Sequence, residues 1–180
     1  MKLYLMRHAE AEDGEQLDPT RELTDTGKAQ AKLMGKWLHR QADPPELIIE
    51  SNMRRSIQTA KRVGKRLDVN RLRAGALDPD GEPRKAIRTI RRLAQEHSAA
   101  SVLAVTHSPL VQAIQQHLTG VDPEKMYWKH GAISYFDDDG MFHWMVTPET
   151  AARDEDEAEK ITVDALEVAE ASLAIAVASI

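Results

Sequence analysis

Cysteine is absent from the 180-residue sequence, and aromatic residues make up only 4% of it. The first absence excludes disulfides, cysteine-bound metals and a thiol nucleophile, and the second argues against a base-stacking surface for nucleic acid. No run of about 18 apolar residues occurs, so no membrane-spanning helix is predicted. Arg7 and His8 interrupt the first apolar run before the core of a signal peptide could form. We therefore expect a cytoplasmic protein that binds neither nucleic acid nor membranes.

The composition is that of an ordinary globular domain, with 42% hydrophobic and 29% charged residues. The net charge of −5 is unevenly distributed, because residues 151–180 carry eight acidic and two basic residues. We therefore predict a domain over residues 1–150 and a helical C-terminal extension over residues 151–180 that is first acidic and then apolar. Three roles stay open for this extension: docking on the domain, pairing with another chain in an oligomer, or a weakly ordered terminus.

Short apolar runs alternate along the chain with segments of helical periodicity. The runs that predict strands cover residues 3–6, 47–49, 101–106, 131–136 and 141–146, and the helical segments cover residues 25–40, 53–67, 83–97 and 109–119. Ser51 is predicted to cap the second helix, and residues 70–83 are predicted to be irregular. The alternation favours an α/β sandwich with a largely parallel sheet.

Two of the predicted strands end in histidine, since His8 follows the first strand and His107 follows the strand over residues 101–106. Ligands bind beyond the carboxyl ends of parallel strands, so the two histidines are expected to meet at one site. Arg7 lies beside the first histidine, and Arg55 lies near the start of the helix after residues 47–49. Arginine binds phosphate oxygens bidentately and repels metal ions. The set therefore predicts a phosphoryl site without a metal or a cofactor.

Four short blocks carry this chemistry in order along residues 1–148. They are Leu5-Met6-Arg7-His8-Ala9-Glu10-Ala11, Asp18-Pro19-Thr20-Arg21-Glu22-Leu23-Thr24-Asp25-Thr26-Gly27, Ser51-Asn52-Met53-Arg54-Arg55-Ser56-Ile57-Gln58-Thr59 and Val102-Leu103-Ala104-Val105-Thr106-His107-Ser108-Pro109. Together they resemble the motifs of the histidine phosphatase superfamily, and the second block resembles that of its short, SixA-type members. The resemblance implies a three-layer α/β/α sandwich with a mostly parallel sheet, as in phosphoglycerate mutase-like proteins. The chain departs from the common pattern at Ala9, Asn52 and Ser56, none of which removes a charged group.

The resemblance also implies a mechanism, that of a metal-independent phosphatase with a histidine nucleophile. It makes His8 the nucleophile, which forms a covalent phosphohistidine that water then hydrolyses. It makes Arg7, Arg55 and a protonated His107 the groups that hold the phosphoryl oxygens. The expected substrate is a phosphorylated histidine of a phosphotransfer domain or phosphocarrier protein. A small-metabolite phosphatase of the same superfamily is the alternative.

The proton donor to the leaving group is not identified by any motif. Larger relatives use a glutamate that has no counterpart here, and the candidates are Asp18, Asp78, Asp80 or none. Asp18 and Arg21 also match the second block and are expected to bind substrate. A weak or absent acid suits an imidazole leaving group, which titrates near neutrality. This favours phosphohistidine over sugar or alcohol esters.

Replacement of the nucleophile tests the mechanism. His8→Ala should abolish both turnover and the trapped phosphoenzyme, whereas loss of one pocket arginine should lower the rate by roughly 10²–10³-fold. Radiolabelled phosphate retained on the protein measures the intermediate. Full activity of the His8→Ala variant would contradict the assignment.

Overall fold

The computed structural model describes residues 1–153, and residues 154–180, which make up most of the expected extension, lie outside the described residues. Strands and helices alternate through residues 1–153. The strands are β1 (Lys2–Arg7), β2 (Leu47–Glu50), β3 (Asn70–Arg73), β4 (Ser101–Thr106), β5 (Ile133–Phe136) and β6 (Phe142–Val146). The α-helices are α1 (Asp25–His39), α2 (Arg54–Leu67), α3 (Pro83–Glu96), α4 (Leu110–Thr119) and α5 (Pro148–Arg153).

All six strands belong to one sheet with the order β3-β2-β4-β1-β5-β6. The first four strands in this order run parallel to one another, and β5 runs antiparallel to β1 and β6. Parallel strands need a crossover connection, which α1, α2 and α3 provide. The prediction of a largely parallel sheet is therefore confirmed.

Helices cover both faces of this sheet, as the alternation of side chains along β1 shows. Leu3 and Leu5 belong to a core that α3 and α4 close, through residues such as Ile90 and Ile114. The intervening Tyr4 and Met6 belong to a second core, closed by residues of α1, α2 and α5. Because successive strand side chains point to opposite faces, both faces of the sheet are buried, and the predicted three-layer α/β/α sandwich is confirmed.

Two local predictions are wrong. Asn70–Arg73, predicted to be irregular, forms the edge strand β3, whose mostly exposed side chains give no alternating apolar pattern. Ser51 does not cap α2, which begins after Met53 without a side-chain cap. The Ser51 hydroxyl forms a hydrogen bond with the Nε2 atom of His107 instead, at 2.6 Å.

Helix α5 runs across the boundary at residue 150 that the composition suggests. Ala151 is buried in the same core as α1, so the described chain continues packing against the sandwich as far as this helix. The division into residues 1–150 and 151–180 stays a prediction. Within residues 1–153, no helix is both long enough and apolar enough to cross a bilayer.

The start of α1 packs directly on the segment that follows His8. Thr24 caps the helix by accepting a hydrogen bond from the amide of Gly27, and its own amide donates to the carbonyl of Glu10 at 3.2 Å. A Cβ atom on Gly27 would lie 1.9 Å from that same carbonyl oxygen. Only glycine allows this approach, so Gly27 helps to hold the chain next to His8.

Gly27→Ala is therefore expected to destabilise the fold. We expect a loss of about 3 kcal/mol in the free energy of unfolding, the cost of a steric overlap that requires a backbone shift. Urea unfolding followed by circular dichroism measures it. Gly75→Ala is the matched control, because its Cβ would meet only the Asn52 amide group, at 3.1 Å, and the Asp78 carboxylate, at 3.5 Å. Equal stability of the two variants would contradict the packing argument.

Candidate active site

The parallel registers of β1, β2 and β4 bring three strand ends to one level. Arg7 pairs with Thr106 across β1 and β4, and Glu50 pairs with Val105 across β2 and β4. The residues that follow each strand therefore emerge side by side at the carboxyl edge. The rings of His8 and His107 lie 5.0 Å apart between their centroids, so the meeting of the two histidines predicted from the sequence is confirmed.

His8 is held with one ring nitrogen available to react. Its Nδ1 atom donates a hydrogen bond to the carbonyl of Ala9 at 2.7 Å, which leaves the lone pair on Nε2. Nε2 accepts a 3.3 Å hydrogen bond from the Nε atom of Arg55. Burial, followed by the proximity of His107 and Arg55, lowers the pKa of His8 well below its usual value. His8 is therefore neutral at pH 7, as a nucleophile must be.

Arg55 is buried at the start of α2 and binds the loop that follows β1. Its exposed fraction is 1%, and its terminal nitrogens donate to the carbonyls of Gln16 and Asp18 at 2.6 and 2.9 Å. Burial lowers its pKa, but a guanidinium keeps its charge at any physiological pH. The site therefore contains a fixed cation beside His8.

Arg7 supplies a second cation and binds a different loop. One terminal nitrogen donates to the carbonyl of Trp128 at 2.6 Å, and the other donates to Nε2 of His130 at 2.9 Å. The Nε atom of Arg7 is buried and, among the described residues, has no hydrogen-bond partner. A buried donor without a partner costs free energy, so this atom is suited to bind an anion.

Burial, followed by Arg55, Arg7 and Arg21, lowers the pKa of His107 from 6.5 to about 3. The ring is therefore neutral in the free protein, because burial disfavours its charged form and the three arginines repel a further positive charge. A protonated His107 on a bound phosphoryl group stays a prediction. Its Nδ1 atom is buried and lacks a hydrogen-bond partner within residues 1–153.

The sequence analysis missed His130, which lines the same open pocket of about 520 Å³ as Arg7, His8, Arg55 and His107. Its ring lies 5.4 Å from that of His8. His130 comes just before β5, and this strand is antiparallel to β1. Its beginning therefore lies at the same edge of the sheet as the ends of the parallel strands. The sequence offered one signal for His130. If the hairpin of β5 and β6 is assumed to begin antiparallel to β1, the histidine just before β5 is expected at the edge that carries His8 and His107.

The two residues predicted to bind substrate differ in position. Arg21 lines the pocket, and its guanidinium donates to the carbonyls of Glu12 and Glu15. The carboxylate of Asp18 does not line the pocket, because it accepts two hydrogen bonds from Thr20. Only the backbone carbonyl of Asp18 contacts a pocket group, through Arg55.

The other candidate proton donors also lie outside the pocket lining. The carboxylate of Asp78 accepts hydrogen bonds from the amide and the side chain of Asn52, at 2.8 and 3.2 Å, and Asp80 is exposed. The described lining residues include no aspartate or glutamate. No group of three or more potential metal ligands is found within residues 1–153.

Comparisons with known proteins agree with this geometry. Residues 3–77 match the model of the histidine phosphatase superfamily (branch 1). The chain is 30% identical over 156 residues to phosphohistidine phosphatase SixA of Escherichia coli, covering 82% of this chain and 94% of that protein. It is 32% identical over 145 residues to a SixA homologue of Haemophilus influenzae, covering 76% and 83%. A solved structure of the protein histidine phosphatase SixA with tungstate superposes with a TM-score of 0.72 at 30% identity, covering 82% of this chain and 97% of that one.

The chain belongs to the histidine phosphatase superfamily. It is a SixA-like phosphatase, a hydrolase of a family in which a histidine is typically the nucleophile. The recognition made from four sequence blocks is thereby confirmed.

The lowered histidine pKa values make the stability of the protein depend on pH. Below pH 6.5 the unfolded chain binds protons that the folded chain does not, so stability falls as pH decreases. For His107, with its pKa lowered from 6.5 to about 3, the loss between pH 7.5 and 5.0 amounts to about 2 kcal/mol. In urea unfolding, the wild type should therefore lose about 2 kcal/mol more than His107→Asn over this pH range.

The comparison between the two proteins isolates His107. His8 lowers the stability of the wild type and of His107→Asn alike as pH decreases. Burial raises the pKa of Glu50 to about 7, so this residue makes the folded protein more stable as pH falls. It is present in both the wild type and His107→Asn. An identical pH dependence for wild type and variant would contradict a neutral buried His107.

Proposed function

We propose that this protein is a phosphohistidine phosphatase that removes the phosphoryl group from a protein histidine through a phospho-His8 intermediate. The observation that carries the proposal is the neutral His8, whose Nε2 lone pair lies in a pocket lined by Arg7, Arg55 and Arg21 and by no described carboxylate. Such a pocket binds a phosphoryl dianion and provides a nucleophile without a conventional acid.

The first step joins Nε2 of His8 to phosphorus while the bond between phosphorus and the leaving nitrogen breaks. The lone pair of Nε2 is engaged only weakly, by the 3.3 Å hydrogen bond from Arg55. An oxygen of the incoming phosphoryl group can replace Nε2 as the acceptor of that bond. The same arginine thus changes partner from nucleophile to substrate as the reaction begins.

The cations then stabilise charge on the equatorial oxygens. Arg55, Arg7 and Arg21 are held by backbone carbonyls before any ligand binds, so little reorganisation is needed when charge develops. Burial and the arginines keep His107 neutral in the free protein, and a bound dianion raises its pKa by offsetting the repulsion from the arginines. His107 therefore gains a proton only when phosphate is present. Water next attacks phosphorus, releases phosphate and restores His8.

The leaving group is the main argument for a phosphohistidine substrate. When the second ring nitrogen of the phosphohistidine carries a proton, the displaced group is neutral imidazole, a much weaker base than an alkoxide, so it needs no proton from an acid of the enzyme. The carboxylates of Asp18 and Asp78 accept hydrogen bonds from Thr20 and Asn52, respectively, and neither residue lines the pocket. Neither is therefore placed to give a proton to the leaving group. The proton donor in our proposal is therefore none of the three aspartates considered from the sequence.

The comparisons support the same substrate. Two relatives that the chain matches over most of their length are named as phosphohistidine phosphatases. The SixA structure that superposes on this chain contains tungstate, an oxyanion with the tetrahedral shape of phosphate. The proposed partners are accordingly proteins that carry phosphorylated histidine. Cytoplasmic location and an oligomer formed through residues 151–180 stay predictions.

The substrate class is tested by comparing two leaving groups. We expect kcat/KM for a radiolabelled phosphohistidine protein to exceed that for an alkyl phosphate monoester by about 10²-fold or more, the usual contribution of a general acid that the alkyl ester lacks here. His8→Ala is the control for release that does not depend on the enzyme. A higher kcat/KM for the alkyl ester would instead support a small-metabolite phosphatase with the same pocket.

A further inference from the structure

Two loops border the candidate active site, and each is held by a different pocket arginine. Arg55 binds the carbonyls of Gln16 and Asp18, on either side of Leu17. Arg7 binds the carbonyl of Trp128, directly after Tyr127. Both loops are therefore attached to the pocket through their backbones, while the side chains of Leu17 and Tyr127 are free to point outward.

These two side chains are unusually exposed for their type. Leu17 is 58% and Tyr127 is 79% exposed, and they are the two large exposed hydrophobic residues within residues 1–153. An isolated exposed leucine needs no explanation. Here, however, each of the two residues is next to a backbone carbonyl that accepts a hydrogen bond from a pocket arginine.

The sheet order places the two loops on opposite sides of the reacting groups. In the order β2-β4-β1-β5, His107 and His8 follow the two middle strands. Arg55, which holds the Leu17 loop, follows β2, and Gln16 of that loop also donates to the carbonyl of Ser108 after β4. The Tyr127 loop leads into His130 and β5 on the other side. The two loops thus lie on opposite sides of the pocket. Leu17 and Tyr127 are not among the residues that line it, and Tyr127 also borders a neighbouring groove beside α5.

We propose that Leu17 and Tyr127 form an apolar rim on which a folded protein carrying phosphohistidine docks. This inference rests on the proposed function and extends it to the recognition of the partner. His8 is only 5% exposed and His107 only 1%. A phosphohistidine side chain must therefore insert fully to reach Nε2, which brings the surface around it onto the rim.

The chemistry of the rim matches a protein surface better than a small ester. A small phosphate compound is bound by the arginines and histidines inside the pocket and gains little from side chains outside it. A protein surface flanking a phosphohistidine can bury apolar side chains against the rim, and tyrosine is among the residues that contribute most at such interfaces. We therefore expect a partner with apolar residues next to its phosphorylated histidine.

The experiment compares two substrates that share the same phosphorus–nitrogen bond. One is a radiolabelled phosphocarrier or phosphotransfer protein, and the other is the free amino acid phosphohistidine. Leu17→Ser and Tyr127→Ser are each expected to lower kcat/KM for the phosphoprotein by about tenfold, mainly through KM, on the scale of an important interface residue. Turnover of free phosphohistidine should stay within about twofold of wild type, because the pocket is intact.

Conservative variants provide the matched controls. Leu17→Met and Tyr127→Phe keep the apolar area of the rim and should retain wild-type activity on both substrates. Unchanged thermal unfolding of the serine variants, together with their activity on free phosphohistidine, establishes that they are folded.

Four outcomes would overturn the inference. Serine variants that match wild type on the phosphoprotein would show that the rim does not dock it, and equal losses on both substrates would show that the residues act inside the pocket. If sedimentation finds a dimer for the wild type and a monomer for the protein with both Leu17→Ser and Tyr127→Ser, that result would assign the rim to self-association. A wild-type protein that hydrolyses alkyl phosphates but not the phosphoprotein would instead refute the proposed function, and the docking proposal with it.

Discussion

The parallel register between β1 and β4 is the constraint on which the site depends. It aligns Arg7 with Thr106, so that His8 and His107 leave the sheet side by side. The main-chain bond from the His8 amide to the Thr106 carbonyl, at 2.9 Å, continues this pairing past the end of the strand. A shift of one residue would turn each strand's side chains to the opposite face and separate the two rings. Such a shift would also exchange the side chains of the two cores, for instance Leu3 and Leu5 with Tyr4 and Met6, so the close packing of each core opposes it.

Burial and positive charge together determine the protonation of the site in the free protein. With Arg7, Arg55 and Arg21 around the pocket, both His8 and His107 have lowered pKa values, and the main cause in each case is burial. The pocket is therefore suited to bind an anion. The buried Nε of Arg7 and Nδ1 of His107, each without a partner in the described chain, belong to the same arrangement. Oxygens of a phosphoryl group could accept hydrogen bonds from these two nitrogen atoms.

The arginines also connect the chemistry to the surface. Each binds backbone carbonyls of a loop that borders the pocket, so the positions of the loops depend on the same groups that hold the phosphoryl oxygens. In our proposal, recognition of a protein partner and stabilisation of charge are thereby linked through Arg55 and Arg7. Replacement of either arginine is expected to disturb both, whereas changes at the exposed rim leave the chemistry intact.

The sequence by itself determined the α/β class, the strands that end in Arg7-His8 and His107, and the four blocks that indicate the superfamily. These features are local, because a buried strand and the residue after it are neighbours along the chain. The edge strand β3, the role of Ser51 and the participation of His130 were decided by tertiary structure. An exposed edge strand gives no apolar pattern, a hydroxyl near a helix start has two competing partners, and His130 comes 122 positions after His8 in the numbering. The direction of Asp18 is by contrast set locally, by hydrogen bonds from Thr20 two residues further on, a turn that aspartate commonly forms and that the motif alone does not specify.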